Sequence, residues 1–435
     1  MRVARLALGA AFGTLVLAGS ALAQAVEVTQ LAAPDYFSIG ARDTGLSDQL
    51  WRGASGETLR TVAPMLSARP LSPAAQALAR RVLATGANGP QGAGDDPEVA
   101  GARIAALMAT GAVKDAAEIL SRTSGLERSP GLARAGAEAS LLAGQEERAC
   151  AIADGLATGR DEIYWLRLRA YCEAKAGKAE AQLTFDLAQS VERDAIYGRL
   201  MGAKLAGTGD PGAASLRNGL DYALSRNLGL DLAGAKPAPA VEAAMAAREP
   251  GPARWTVEGL GGPLQAAVAA VAAGDLAQAQ SLRAGLIADA IPPNDLALLD
   301  ALIAAASGRP DGPTLDRLIE RGSVGEAKAR GRMQNAAIIF AAFGAEMSPQ
   351  ARGEFAKFAG AESGKATVAR GMALDLAGEA KLPGETALLA LWISAEAGAG
   401  GPATGDRARI VRALRSAGLE EDARAFAVEG LLAQR

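Results

Sequence analysis

Histidine is absent from all 435 residues. That excludes a Ser–His–Asp hydrolase, a His-ligated zinc or haem, and a histidine proton shuttle. Cysteine occurs only at Cys150 and Cys172, too few for a thiolate metal site, so no cofactor is expected. No Asn-x-Ser/Thr sequon occurs, because Asn88, Asn218, Asn227, Asn294 and Asn335 all lack the hydroxyl residue. There is no basic run. The formal charge of −3 becomes −5 without Arg2 and Arg5, so nothing suggests the clustered positive face that nucleic acid requires. Beyond the N-terminus no apolar stretch is long enough for a membrane helix; Ala266–Ala273 is Ala-rich and bounded by Gly274 and Asp275. These absences move the expectation from catalysis toward binding or structure. Chemistry that uses carboxylates alone stays open.

What is present begins with a targeting segment. Arg2 and Arg5 precede an apolar stretch, Leu6 to Ala18, and Ala21-Leu22-Ala23 has the form of a cleavage site. A signal peptide over residues 1–23 is expected, with cleavage between Ala23 and Gln24. No cysteine follows the apolar stretch, so lipidation is not expected. Arg outnumbers Lys roughly four to one and Ala is about a quarter of the chain, a composition that resembles high-GC bacterial proteins. The expected location is a bacterial periplasm, exported and soluble.

A glycine turn recurs about every 33 residues, at Gly111, Gly144, Gly177 and Gly207. After one missing step it returns at Gly274, Gly308, Gly344 and Gly378, with Gly418 a little late. Ala143-Gly144-Gln145-Glu146-Glu147, Ala176-Gly177-Lys178-Ala179-Glu180 and Ala273-Gly274-Asp275-Leu276-Ala277 share one form. A helix ends in Gly, a polar residue opens the next helix near its positive dipole end, and Ala-rich sequence follows. The spacing predicts an all-α protein, a right-handed α-solenoid of stacked helix pairs.

One unit, Glu162 to Arg193, carries a family pattern. Trp165-x2-Leu168 is followed by Cys172 at the aromatic position, and by Ala181-x3-Phe185 and Ala188. This stretch resembles a tetratricopeptide repeat. It departs from that pattern at Arg169, where the family prefers Gly or Ala, and at Arg193–Asp194, where it often has Pro. The other units match in period only. The resemblance implies a superhelix that binds protein segments, and it carries no catalytic residues.

Composition divides the mature chain. Residues 24–71, with Pro34, Tyr36, Phe37, Trp51, Pro64 and Pro70, read as an extended arm holding one or two short helices. Ser72-Pro73 starts a helix to about Thr85 and Asp96-Pro97-Glu98 starts another. A first array spans 72–232. Residues 233–263, with Pro237, Pro239, Pro250, Pro252, Pro263, Gly259, Gly261 and Gly262, form a connector holding a helix from about Ala240 to Arg248. A second array spans 264–435, and its last pair, near Arg407–Ser416 and Glu420–Leu432, is expected to be a charged cap.

Cys150 and Cys172 fall on neighbouring helices of successive repeats, so a bridge is expected in an oxidising compartment; otherwise both are small buried apolar groups. Gly207-Thr208-Gly209-Asp210-Pro211-Gly212 spells G-x-G-x-x-G but follows a helix, which makes it an inter-repeat turn. Gly360-Ala361-Glu362-Ser363-Gly364-Lys365 is one residue short of a phosphate loop. Its Glu362-Ser363 resembles the Glu-Ser of soluble lytic transglycosylases, without the downstream Gly and Gln stretch of that family.

Aromatics, 4% of the chain, gather at Tyr164, Trp165, Tyr171, Phe185, Tyr197 and Tyr222, with a second group at Phe340, Phe343, Phe355 and Phe358. Helical spacing makes most of them core. Tyr164, Tyr171 and Tyr197, with Arg167 and Arg169 as charge contacts, are the expected lining of a partner groove. The expected function is a non-enzymatic periplasmic scaffold or adaptor that holds another envelope protein on a concave surface. The alternatives are a peptidoglycan-associated or carbohydrate-active protein using carboxylates only, and a purely structural envelope component.

Overall fold

The computed structural model describes residues 35–246, 251–257, 262–287, 290–358 and 364–435. The signal segment with Ala23 and Gln24, Glu362 and Ser363, and Pro250, Gly259 and Gly261 of the connector lie outside the described residues. The chain starts with α1 (Gly56–Ala68), α2 (Pro73–Ala84), α3 (Pro97–Ala109), α4 (Val113–Arg122), α5 (Pro130–Leu142) and α6 (Glu146–Gly155). Then follow α7 (Ile163–Lys175), α8 (Ala181–Val191), α9 (Ala195–Ala206), α10 (Gly219–Asn227) and the short α11 (Pro239–Met245). The remainder is α12 (Pro263–Ala273), α13 (Leu276–Ala284), α14 (Pro293–Ala306), α15 (Gly312–Ser323), α16 (Ala327–Ala342), α17 (Pro349–Phe355), α18 (Val368–Glu379), α19 (Pro383–Ala397), α20 (Thr404–Ser416) and α21 (Glu420–Leu432). No strand occurs among the described residues, only one isolated bridge, Ser55 with Gln91. The protein is all-α.

Proline opens these helices and glycine closes them. Eight helices begin on a proline, whose missing N–H costs nothing in the first turn. Caps supply the rest: the Asp96 carboxylate accepts from the Glu98 and Val99 amides, and Asp275 and Asp311 do the same for Gln278 and Thr314. Eight of the nine expected turn glycines have positive φ. Gly378 does not. It lies inside α18, where a Cβ would stand 2.9 Å from Ala413 Cα, so its role is close packing of α18 on α20. The turn comes three residues later at Lys381, the one non-glycine with positive φ among the described residues (φ 53).

At several turns a neighbour's arginine lies against the glycine: Arg80 at Gly111, Arg226 at Gly144, Arg254 at Gly274, Arg424 at Gly308 and Arg415 at Gly344. A helix C-terminus presents unpaired carbonyls and the negative end of the dipole, which a guanidinium satisfies. Arg80 Nη1 donates to the Thr110 carbonyl at 3.2 Å.

Consecutive helices pair, as in α3/α4, α5/α6, α7/α8, α12/α13, α15/α16 and α20/α21. Next-but-one helices also touch, in the rows α1–α3–α5 and α12–α14–α16. One set of contacts breaks sequence order. α1 packs on α19, and α2 packs on both α19 and α21. The last pair is therefore not a charged cap: α21 is flanked by α2, α14, α16 and α20, and Arg407, Asp422 and Glu429 are buried there.

Two cores result. The smaller one holds Trp165, Leu168, Tyr171, Tyr197, Leu200 and Leu224, from helices between α5 and α10. The larger one runs from Phe37 and Trp51 through α1–α4 to Phe340, Leu391 and Phe426 near the C-terminus. Residues 35–54 are irregular yet anchored. Buried Arg103 of α3 donates to the carbonyls of Tyr36, Ile39, Leu83 and Thr85 and lies 4.8 Å over the Phe37 ring.

Candidate functional site

The residues expected to line a groove fall at the smaller core. Tyr171 and Tyr197 are fully buried, which corrects their placement on a groove. The reason is that the protein itself satisfies their hydroxyls. Tyr171 donates to Glu146 at 2.7 Å and Tyr197 donates to the Arg167 carbonyl at 3.0 Å. Tyr164 is partly buried, edge-on to Trp165 with ring centroids 5.0 Å apart and 4.6 Å beneath the Arg134 guanidinium. Burial first, and then the neighbouring Glu138 carboxylate, hold its hydroxyl well above the usual tyrosine range. Arg167 is ion-paired with Glu192 at 3.0 Å and Asp194 at 3.6 Å, and Arg169 donates to the Arg160 carbonyl at 2.6 Å. All five side chains are thus engaged within the fold.

Two polar webs tie these helices together. Glu146 receives Tyr171, Lys175 at 2.6 Å and Asn227 at 3.0 Å. Burial pushes the Glu146 carboxyl up, but these donors outweigh it and keep it below the ordinary value. Arg217 bridges Asp194 and Asp221, and the buried Ser215 hydroxyl donates to Asp221 at 2.7 Å. A disulfide joins Cys150 on α6 to Cys172 on α7, Cα atoms 5.6 Å apart. The Gly207–Gly212 stretch is a turn leaving α9: Gly207, Gly209 and Gly212 have positive φ and Asp210 accepts from the Gly212 amide.

Two outward apolar stripes lie outside the glycine-turn and aromatic patterns. Leu183, Leu187 and Val191 project from α8, with Leu183 72% exposed. Val368, Met372 and Leu376 project from α18, with Val368 83% exposed. Both sets follow i, i+4, i+8 spacing, one helix face. Each helix also buries an opposite face, Ala181 and Ala188 on α8, Leu374 and Ala377 on α18. Apolar residues on both sides of a helix were the available signal.

A cleft of about 380 Å³ lies where distant segments converge: residues 42–44, α2, residues 251–255, the ends of α12 and α14, and α21. Trp255 fixes the connector there, donating from its indole to Glu429 at 3.2 Å and from its amide to the Ala272 carbonyl at 3.0 Å. Glu429 is shared: it also accepts from the Ala74 amide at 2.9 Å and from buried Arg407 at 2.6 Å. Five arginines line the cleft against three carboxyl side chains. Arg42 is held by Asp115, and Arg81 by Glu421 at 2.6 Å and Asp422 at 3.4 Å. Arg254 and Arg424 have no carboxylate partner among the described residues. Asp422 is 4% exposed, and burial pushes its carboxyl up to about 7 against the opposing pull of Arg81.

Among the described residues no group of three or more Cys, Asp or Glu side chains converges to hold a metal, and no helix is long and apolar enough to cross a membrane. Protein-family models, curated proteins and solved structures yield no match to this chain.

Proposed function

We propose that this chain is an exported, non-enzymatic adaptor of the bacterial envelope that holds another envelope protein. The observation that carries the reading is the pair of outward apolar stripes on α8 and α18. Large apolar side chains repeated along one exposed helix face are the surface a partner helix or strand covers. This moves the expected contact from the tyrosines to the exposed faces of α8 and α18. The paired helices and the next-but-one contacts of α1–α3–α5 and α12–α14–α16 support a tetratricopeptide-like, right-handed stack as the frame. The Cys150–Cys172 bridge supports an oxidising compartment.

The test is photo-crosslinking in the living cell. A photoreactive residue replaces Leu187 or Met372, with exposed Glu320 as the control position. The same adduct at both apolar positions, absent at Glu320, is the expected result. No adduct at either position in correctly exported protein would sink the adaptor reading. Export is checked on the same material: the mature chain should begin at Gln24, and retention of Met1 would contradict the periplasmic assignment.

A further inference from the structure

We propose that the cleft between α2, residues 251–255 and α21 is a binding site for a small organic anion, with its acid group on Arg254 and Arg424 and its apolar body on Trp255 and Val428. This stands apart from the adaptor reading, whose surfaces lie on α8 and α18.

The site is built from segments far apart in sequence. Trp255 is held from two sides, by Glu429 and by Ala272, so the connector's position over the cleft is fixed. The volume of about 380 Å³ falls in the range of small-molecule clefts, roughly 300–1,000 Å³. Its lining is divided. Val271, Ala306, Ala425, Val428 and the Trp255 ring give an apolar floor, and arginines give a cationic rim. Such a pairing of apolar body and few placed polar groups orients a small ligand.

Charge selects the class. Arg42 and Arg81 are matched by Asp115, Glu421 and Asp422, and the remaining cleft carboxylate, Asp43, accepts from the Gly45 amide at 2.9 Å, which leaves Arg254 and Arg424 with no carboxylate partner among the described residues. The plainer role for these two is to cover the C-terminal carbonyls of α12 and α14, because they lie against Gly274 and Gly308. That role does not exhaust them. A guanidinium carries five donors in a planar fork, and the buried Arg424 Nε has no hydrogen-bond partner among the described residues. An acid group at this rim accepts the remaining donors, and forked pairing suits carboxylate and phosphate alike. A cation would meet surplus positive charge, and a neutral sugar would leave those donors unanswered.

The probe is 1-anilinonaphthalene-8-sulfonate, an anion with an apolar body, titrated into the full mature protein by fluorescence. N-phenyl-1-naphthylamine, its uncharged counterpart, is the control. The anion should bind and the uncharged probe should bind roughly tenfold more weakly. The Arg254→Gln/Arg424→Gln variant should lose roughly tenfold in affinity for the anion. Arg254→Gln alone, at an exposed side chain, should show a smaller loss in the same direction, with thermal unfolding checking that the variant stays folded. Benzoate and phenyl phosphate, as competitors, show which acid group is preferred. Equal binding of both probes, unchanged affinity in the double variant, or displacement by neither competitor would overturn the proposal. So would loss of the signal in Leu187→Glu/Met372→Glu, because the probe would then lie on the apolar stripes.

Discussion

In the smaller core many partners lie about one repeat apart, and the longest reaches, from Asn227 to Glu146 and from Gly219 to Glu138, span 81 residues. Tyr171 reaches Glu146 across 25 residues, Tyr197 reaches Arg167 across 30, and the disulfide spans 22, each about one repeat. In the larger core, the contacts that join α1 and α2 to α19 and α21 cross most of the chain. Ser55 and Thr58 bond Glu385 across 330 and 327 residues, Arg81 bonds Glu421 across 340, and Ala74 bonds Glu429 across 355. The difference is one of closure. A repeat builds the first region step by step, whereas the second adds to its local helix contacts those of α1 and α2 with α19 and α21.

Glu429 is the place to break the larger core. Glu429→Ala removes the acceptor shared by the Ala74 amide, Trp255 and Arg407, and strands the Arg407 charge at 3% exposure. Breaking a buried pair from one side costs about 3–5 kcal/mol. Urea denaturation should show a loss of that size, and a loss below about 1 kcal/mol would mean that the closure is not held there.

The disulfide is the corresponding break in the smaller core. Cys150→Ala/Cys172→Ala opens a loop of 22 residues and should cost about 3 kcal/mol in the chain-entropy description. The loss should be confined to α5–α10, seen as faster hydrogen exchange there with α19 and α21 unchanged.

Asp422 sharpens the contrast through pH. Its folded carboxyl sits near 7, above an unfolded value of about 3.9, so the folded state holds the proton more tightly. The stability this proton provides is complete below the unfolded value and is lost as pH rises through about 7. Wild type should therefore lose stability between pH 5 and pH 8 relative to Asp422→Asn. The variant should be the more stable protein at pH 8, by on the order of 1–2 kcal/mol. Parallel pH profiles for the two proteins would contradict this assignment.

Tyr197→Phe removes one buried hydrogen bond within the smaller core and should cost about 1 kcal/mol. Smallest of all, Leu187→Glu/Met372→Glu should change stability by no more than about 0.5 kcal/mol, because both side chains face outward. A large loss from the latter pair would place those stripes in the fold rather than on a binding surface.

The parts legible in the sequence were those written in short range. Turn chemistry located eight glycine turns and the proline-opened starts of α2 and α3, and the repeat placed Cys150 and Cys172 on neighbouring helices, because each depends on a few adjacent residues or on one repeat. Gly378 shows the limit: spacing counts glycines without distinguishing a turn from a tight helix contact. The tyrosines show another. Tyr171 and Tyr197 carry the aromatic character of a binding surface, but Glu146 and the Arg167 carbonyl, each a repeat away, take up their hydroxyls inside the fold. The cleft was not legible at all. Its lining comes from six parts of the chain, and neither Arg254 nor Arg424 belongs to a local motif.

Native-state hydrogen exchange tests the closure most directly. If the larger core forms by joining the two ends, then α1, α2, α19 and α21 exchange as one cooperative unit with a common opening free energy. Glu429→Ala should lower protection in all four helices together and leave α7 and α8 as they were. Exchange of α1 and α2 at their own lower free energy, unmoved by Glu429→Ala, would show that the N-terminal helices are an independent appendage and that the ends do not close.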